Sequence, residues 1–407
     1  MATKTWVGRA APTRHRYEFT ISATGAAGTK WWVSVSGRTG PTVLVASGET
    51  TATLATKVAA AYSAASAEFS QMTWDAAAGV VTVDGPADGH DPGLVMANDA
   101  AAAFTAAEPI VGTGPSHWDD AENWLEGSVP ASTDDLVFRG GAAVKYGLPG
   151  TGTGFGTATF TAESAGAGLP EQNPAGYVEY LSARRVLLNC GNVAVQTAAL
   201  VRLGLEPSGD TTRSATVAGP YTTTGGLDLT TDAPTVGHTL NVSSGRCVVA
   251  VGNSETAKLD AVTVSSDPAC VVVLGSGVTL GTLTQNGGVT DLRCAVAGTL
   301  SHTAGDLTRS GSGTVATWND GGGRVADQGT GTVTAMMAAG NYSYTGSQGC
   351  TITTLTGKPG GKVIDRGGKL TFTNAVVFDR CHLPGPPGDV GSAPFYLSVG
   401  TGRAVTV

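Results

Sequence analysis

A short phrase returns at nearly constant spacing in the second half of the chain. Its copies read Gly281-Thr282-Leu283-Thr284, Gly298-Thr299-Leu300-Ser301, Gly313-Thr314-Val315-Ala316 and Gly331-Thr332-Val333-Thr334, and Thr351-Ile352-Thr353 follows without the glycine. The copies begin 15 to 18 residues apart. Short β-branched strands separated by glycine turns at such a spacing are typical of a stacked solenoid, because one rung cannot bury its apolar face without neighbours. We therefore predict a β-solenoid over residues 177–380.

A second spacing, of 23 and 24 residues, separates Cys247, Cys270 and Cys294. It predicts that these three cysteines occupy equivalent positions in successive rungs, where a small buried thiol packs like a hydrophobe. The six cysteines of the chain form no CxxC pair and no cluster with histidine, so zinc is not expected.

The composition favours a mainly β protein. The chain of 407 residues contains 59 glycines, is 41% hydrophobic and is only 14% charged, and low charge argues against disorder. Small β-branched side chains suit the thin interior of a parallel β-solenoid. The fold class that we predict is a small N-terminal α+β or β domain followed by such a solenoid.

Charge and hydropathy exclude several partners. The formal net charge of −8 gives no overall nucleic-acid footprint, so no direct nucleic-acid binding is expected. No apolar stretch approaches the roughly 20 residues of a membrane span, and no secretory leader is visible at Met1. We expect a chain made and folded in the cytoplasm, with no membrane partner.

Residues 1–16 are predicted to form a basic N-terminal arm. Lys4, Arg9, Arg14 and Arg16 precede the first acidic residue, Glu18. Such an arm either clamps an acidic partner surface or is a solvated tail.

Residues 17–110 are predicted to form a compact docking domain. Strands are expected at 17–21 and 30–35, and a helix follows with an apolar stripe through Leu54, Val58 and Tyr62. Thr51 or Thr53 is the expected cap of this helix. Residues 69–74 and 80–83 are then expected to form a returning β pair.

A loop at the end of this domain is the strongest metal candidate. Asp84, Asp88, His90 and Asp91 offer four potential ligands within eight residues. The same loop contains the glycines and prolines of an ordinary turn and lacks EF-hand spacing, so a plain turn is the preferred interpretation.

Residues 111–176 are predicted to form a Trp-rich joint and the first rungs. Their motif begins at Trp118-Asp119-Asp120-Ala121-Glu122-Asn123-Trp124 and continues through Gly127-Ser128-Val129-Pro130 to Asp134-Asp135. We predict that Trp118 and Trp124 plug the first rung. Asn123, Pro130, Asp134 and Asp135 are expected to shape its turns. A calcium site or an acid/base pair of carboxylates is the alternative.

Residues 381–407 are predicted to cap the solenoid or to pair with another subunit. The run Leu383-Pro384-Gly385-Pro386-Pro387-Gly388 cannot continue a strand ladder, and strand-like runs follow it at 394–399 and 403–407. A solenoid needs its exposed end covered.

The Trp118–Asp135 pattern resembles the module that opens many bacterial and phage β-helix proteins. The domain before it resembles a small strand–strand–strand–helix–strand unit of phage virion proteins, particularly tail and appendage components. The resemblance implies a virion structural protein that assembles in the host cytoplasm and has no catalytic residue or cofactor. It also implies docking to other virion proteins through the N-terminal region and a homo-oligomer, with a trimer favoured by analogy.

Within that class, a head decoration protein and a projecting tail appendage are both possible. The first rival is a tailspike-like protein that binds or degrades glycans, which needs two carboxylates about 5 to 9 Å apart across a groove. Stacked rungs would have to bring acids such as Asp306 and Asp327 together for that purpose. Six of the seven tryptophans precede residue 125, so the solenoid has few aromatic platforms for sugars. The second rival is a bacterial surface adhesin.

Overall fold

Strands dominate the chain from its first residues. A computed structural model describes residues 2–35, 38–65, 67–100, 102–149, 153–168, 185–205, 213–231, 237–252, 255–366, 369–373, 376–378 and 396–398. It shows a small N-terminal α+β domain and a parallel β-solenoid of about 10 turns, which confirms the predicted fold class. No helix among these residues is long and apolar enough to cross a lipid bilayer.

The N-terminal part of the chain supplies the first eleven strands. Its elements are β1 (Thr3–Trp6), β2 (Arg16–Ile21), β3 (Lys30–Val35), β4 (Arg38–Thr39), β5 (Val43–Leu44), α1 (Thr51–Ser63), α2 (Ala67–Ser70), β6 (Thr73–Ala77), β7 (Val80–Asp84), β8 (Leu94–Asn98), β9 (Phe104–Ile110), a 3₁₀ turn (Ala121–Asn123), β10 (Asp135–Phe138) and β11 (Gly154–Phe160).

Strands β2 to β9 and helix α1 build the N-terminal domain around its own core. One antiparallel sheet has the order β6-β7-β2-β9, and β3 pairs with β4, β5 and β8 in a second. The helix buries Leu54, Val58 and Tyr62. Thr50 caps it in a capping box with Thr53, so the expectation of a cap at Thr51 or at Thr53 was wrong. Phe69 lies in α2, and only the hairpin of β6 and β7 returns as a β pair.

The solenoid continues from β12 in a regular alternation of strands. They are β12 (Val186–Val195), β13 (Leu200–Leu205), β14 (Ser214–Ala218), β15 (Gly226–Thr231), β16 (His238–Ser244), β17 (Arg246–Val249), β18 (Ala257–Val264), β19 (Val271–Leu274), β20 (Val278–Gln285), β21 (Val289–Leu292), β22 (Val296–His302), β23 (Asp306–Arg309), β24 (Val315–Asp320), β25 (Arg324–Asp327), β26 (Gly331–Ala338), β27 (Asn341–Tyr344), β28 (Cys350–Gly357), β29 (Lys362–Asp365), β30 (Leu370–Phe372), β31 (Val376–Phe378) and β32 (Tyr396–Ser398).

Two parallel ladders form the walls of the solenoid. The long-strand ladder joins the even-numbered strands from β12 to β28 and ends on β30 and β31. The short-strand ladder starts on the first residues of β12, joins the odd-numbered strands from β13 to β29 and ends on β32. Side chains alternate between the interior and the surface along each strand, and one continuous core runs from Trp6 to Leu370.

The first segment of the chain belongs to the solenoid. Strand β1 pairs in parallel with β10, with Trp6 opposite Phe138, so it starts the long-strand ladder. Lys4 donates a hydrogen bond to Ser128, and Arg16 lies in β2, where it pairs with Asp84. The prediction of a solvated tail at 1–16 was therefore wrong for Lys4 and Arg16, and the clamp on an acidic partner stays a prediction.

The copies of the repeated phrase fall into two sets that occupy different positions of the long strands. Leu283 and Leu300 face each other and align with Trp318, the next residue in the same column. Val315, from the third copy, aligns instead with Val296 in the first half of the long strand. The long strands shift register at their middle, and apolar residues point inward on both sides of that shift. The same phrase can therefore lie in either half of a long strand.

The three regularly spaced cysteines are not stacked, which corrects the second prediction. Cys247 lies within β17 and pairs with Val272, whereas Cys270 precedes β19 and Cys294 follows β21. All three are buried free thiols. Burial raises the pKa of the Cys294 thiol to about 12, so it stays protonated and unreactive at neutral pH.

Within the predicted C-terminal cap at 381–407, the structure describes only β32. That strand pairs in parallel with β29 and extends the short-strand ladder by one rung. The other residues of the predicted cap at 381–407, including its proline run, lie outside the described residues.

Candidate functional site

Five aromatic rings close the N-terminal end of the solenoid, and we call them the aromatic plug: Trp6, Trp118, Trp124, Phe138 and Phe155. Trp124 packs edge-on against Trp6 at 5.2 Å and against Trp118 at 4.9 Å between ring centroids. Trp118 also contacts Phe138 and Phe155. Large rings in edge-to-face contact bury much apolar area, so the plug covers the end of the first rung.

Asn123 ties the motif to the start of the chain. Its side chain is fully buried, accepts a hydrogen bond from the Ala10 amide and donates to the carbonyls of Gly114 and His117. A buried amide with both ends satisfied fixes the loops around it. Pro130 is half-buried in the loop that leads to β10.

The aspartates of the motif shape turns. Asp134 accepts hydrogen bonds from the amides of Ala131 and Ala2, and these bonds lower its pKa. Asp135 accepts a hydrogen bond from the Thr157 hydroxyl on the next rung. Asp134 and Asp135 thus serve separate local contacts.

The loop after β7 joins the N-terminal domain to the first rungs. The Asp88 carboxylate lies 2.5 Å from His90 Nδ1 and accepts a hydrogen bond of 3.2 Å from the Tyr146 hydroxyl. The Tyr146 ring packs on His90 and on His117. These contacts connect the N-terminal domain to the first rungs, and we call them the Asp88 junction.

The other two metal candidates of this loop face different partners. Asp84 forms a paired contact with the Arg16 guanidinium, at 2.6 and 3.1 Å. Asp91 accepts a hydrogen bond from the Tyr17 hydroxyl. The structure therefore does not bring the four predicted ligands together, and no group of three His, Cys, Asp or Glu suited to a metal ion occurs among the described residues.

Substitution of Asp88 by asparagine is expected to change how stability depends on pH. Burial raises the pKa of Asp88, but the bonds from His90 and Tyr146 outweigh it and lower the pKa to about 2. Because this pKa lies below the unfolded value, the carboxylate stabilises the fold above about pH 4 and loses that effect as pH falls through about 2. The difference in unfolding free energy between wild type and Asp88→Asn should shrink over this range in urea titrations.

The control for this experiment is Asp75→Asn, which changes an exposed carboxylate on β6 of the same domain. Its pH curve should run nearly parallel to that of the wild type. Parallel curves for Asp88→Asn as well would contradict a stabilising role for the Asp88 junction.

The solenoid interior contains a charged cluster that the sequence analysis missed. Arg309 and Asp327 are 1% and 0% exposed, and the Arg309 Nε lies 2.9 Å from an Asp327 oxygen. Asp327 also accepts from the Tyr342 hydroxyl at 2.6 Å, and Arg309 donates to the Cys350 sulfur. The guanidinium lies 5.6 Å from the centre of the Trp318 ring.

The surroundings favour the charged form of Arg309. Burial lowers the pKa of Arg309, but the Asp327 carboxylate outweighs it and raises that pKa above its ordinary value. Burial, and next the Asp327 charge, raise the pKa of Tyr342, so its hydroxyl remains a donor. The cluster resembles a catalytic constellation in composition, but its charged atoms face the interior and cannot meet a substrate.

Alternation along β23 could have revealed the inward arginine. In Asp306-Leu307-Thr308-Arg309 the buried residues are Leu307 and Arg309, as the period of two requires. Asp306 faces outward at the start of β23 and Asp327 faces inward at the end of β25. The rungs therefore do not bring Asp306 and Asp327 together as the glycan-degrading alternative requires.

A second buried pair lies on the long-strand ladder. His302 Nδ1 lies 2.9 Å from an Asp320 oxygen, and both side chains are fully buried. Gln285, His302 and Asp320 occupy one column of three successive long strands. Both buried pairs thus link neighbouring rungs.

No family model, no curated protein and no solved structure matches this chain.

Proposed function

We propose that the chain is a non-enzymatic structural component of a phage particle, either a head decoration and stabilising protein or a projecting appendage. The observation that carries the proposal is the joining of a compact domain to the closed end of a long solenoid. Strand β1 enters the first rung before the domain begins, and β10 follows after the domain ends. The chain thus enters and leaves the domain at the same rung, so two chain segments connect the domain to the solenoid.

The Asp88 junction and the aromatic plug support the same role. A domain held through a single linker would swing, whereas polar and aromatic contacts at Tyr146 fix the domain against the first rungs. We propose that the N-terminal domain docks to other virion proteins and that the solenoid projects or packs laterally. The passive functions of such a rod are reach and stiffness, and the buried Arg309–Asp327 ion pair would help to fix the register between rungs.

One outer column of the long-strand ladder suits packing against copies of the same chain. Successive long strands place Thr284, Ser301, Asn319, Met337 and Thr356 in this column. Uncharged side chains of this kind can be buried without the desolvation penalty of a charge. We propose that this column lies in the interface of a homotrimer.

The joint substitution Ser301→Arg and Thr356→Arg is expected to convert the trimer to monomers. Two buried charges without partners would oppose association, while both side chains face outward and leave the core intact. Mass photometry of the full chain measures the result. The control Thr308→Arg lies on the outer face of the short-strand ladder and should leave the trimer intact. A wild-type monomer would contradict the trimer.

The docking proposal is tested on particles released from the producing culture and stripped of their appendages. Labelled full-length chain should rebind them at a fixed stoichiometry. Distribution over the head would identify a decoration protein, and a single site per tail an appendage. A chain that ignores the particles and cleaves host glycans would overturn the proposal in favour of a tailspike-like enzyme. Labelling of the producer cell surface alone would favour an adhesin.

A further inference from the structure

The outer face of the short-strand ladder carries two adjoining hollows. They lie over β23, β25, β27 and β29 and have volumes of about 290 and 270 Å³. Arg324, Ser343 and Arg366 line both of them. The hollows therefore form one continuous surface feature, which we call the short-strand groove.

Positive charge dominates the groove. Arg324 holds a paired contact with Asp306, at 3.0 and 2.9 Å, and remains 75% exposed. Lys362 and Arg366 add two further cations, and the lining of the second hollow contains three cations and no carboxylate. Such a surface attracts an anion although the whole chain is acidic.

Neutral hydrogen-bonding groups lie between these charges. Asn341 and Ser343 line the second hollow, and Thr308 and Thr345 line the first. Ser343 accepts a hydrogen bond from Arg366, which holds that guanidinium over the groove. The groove thus offers hydroxyl and amide groups as well as cations, the mixture that recognises a ligand rich in hydroxyls with charges set apart.

Strand stacking gives the groove a direction. Asp306, Arg324, Asn341 and Lys362 occupy one column of four successive strands. At a strand spacing of about 4.8 Å, this column extends for about 14 Å along the solenoid axis. A linear polymer lying along that axis would meet the charged and neutral groups in turn.

We propose that the short-strand groove binds a carboxylated polysaccharide. The Arg366 and Arg324 guanidinium groups would bind carboxylates, and Asn341 and Ser343 would bind the hydroxyls between them. Nucleic acid fits less well, because its charges are far denser, about one per 1.7 Å of duplex axis, than the cations of the groove. The inference is independent of the proposed virion role, because it concerns binding by the purified chain.

The test measures binding of full-length protein to polygalacturonate, a linear carboxylated polysaccharide, by isothermal titration calorimetry at low salt. Wild type should bind, and added salt should weaken binding. The joint substitution Arg324→Ala and Arg366→Ala should raise Kd at least roughly tenfold, since the two proposed charge-assisted contacts are lost. Arg366→Ala alone should give a smaller rise, and circular dichroism verifies that each variant is folded.

Arg293→Ala is the matched control. Arg293 and Arg366 both follow the last residue of a short strand, in the same column of the ladder. Arg293 is exposed and pairs with Asp291, and it lies outside both hollows. Its loss should leave binding unchanged. Equal effects of Arg293→Ala and Arg366→Ala on Kd would overturn the proposal. Equal binding of neutral dextran, tighter binding of single-stranded DNA, or no binding by wild type would each overturn it as well.

Discussion

Substitution of Asp327 by alanine is expected to lower the free energy of unfolding by about 3–5 kcal/mol. The change leaves the Arg309 guanidinium buried without its counter-ion, at a position that is 1% exposed. It also removes the acceptor of the Tyr342 hydroxyl. An uncompensated charge in an apolar interior costs far more than the ion pair itself contributes. Urea denaturation followed by far-UV circular dichroism measures the loss.

The matched variant replaces the whole cluster by apolar groups, with Arg309→Met, Asp327→Leu and Tyr342→Phe together. Because no buried charge or hydroxyl is then left without a partner, most of the lost stability should return. If Asp327→Ala unfolds at the same urea concentration as wild type, the interior is wetter than its burial indicates. If the triple variant is as unstable as the single one, side-chain volume rather than charge is decisive.

Substitution of Trp6 by alanine is expected to destabilise the first rungs by about 3–5 kcal/mol. Trp6 is fully buried, packs edge-on against Trp124 and donates a hydrogen bond to the Ala142 carbonyl. Its loss leaves a cavity in the aromatic plug and weakens the hold on β1. Once β1 frays, β10 presents an unpaired edge, so we also expect concentration-dependent aggregation.

Trp32→Ala is the control for this prediction. Trp32 lies on β3 of the N-terminal domain and is only half-buried, so its replacement should cost much less. Denaturant midpoints and light scattering of the two variants are compared at equal concentration. Equal midpoints with no aggregation of Trp6→Ala would show that β1 does not cap the solenoid.

The charged interior could be predicted only in part. Period-two alternation places Arg309 on the same face as Leu307, so its inward position was available from the sequence. Its partner was not, because Asp327 meets Arg309 only when β23 and β25 align at their ends. Register between rungs depends on loop lengths, which vary along this chain, and an aspartate near glycines has the appearance of a surface turn residue.

The loop with Asp84, Asp88, His90 and Asp91 shows that closeness in sequence does not establish a shared site. Its residue types suit a metal ion, and the sequence places them close together. The partners that separate them, Arg16 for Asp84 and Tyr146 for Asp88, come from distant parts of the chain. Local spacing therefore could not distinguish a ligand set from a group of unrelated contacts.

The sequence by itself determined that this chain stacks short strands in parallel, because alternating small apolar residues and recurrent glycine turns admit few other buried arrangements. Only the tertiary structure decided which residues align. Leu300 meets Trp318 rather than Val315, and β1 enters the first rung beside β10 across more than a hundred residues of chain. The physical reason is that alternation is a local property of each strand, whereas register and closure depend on contacts between strands that the local pattern does not specify.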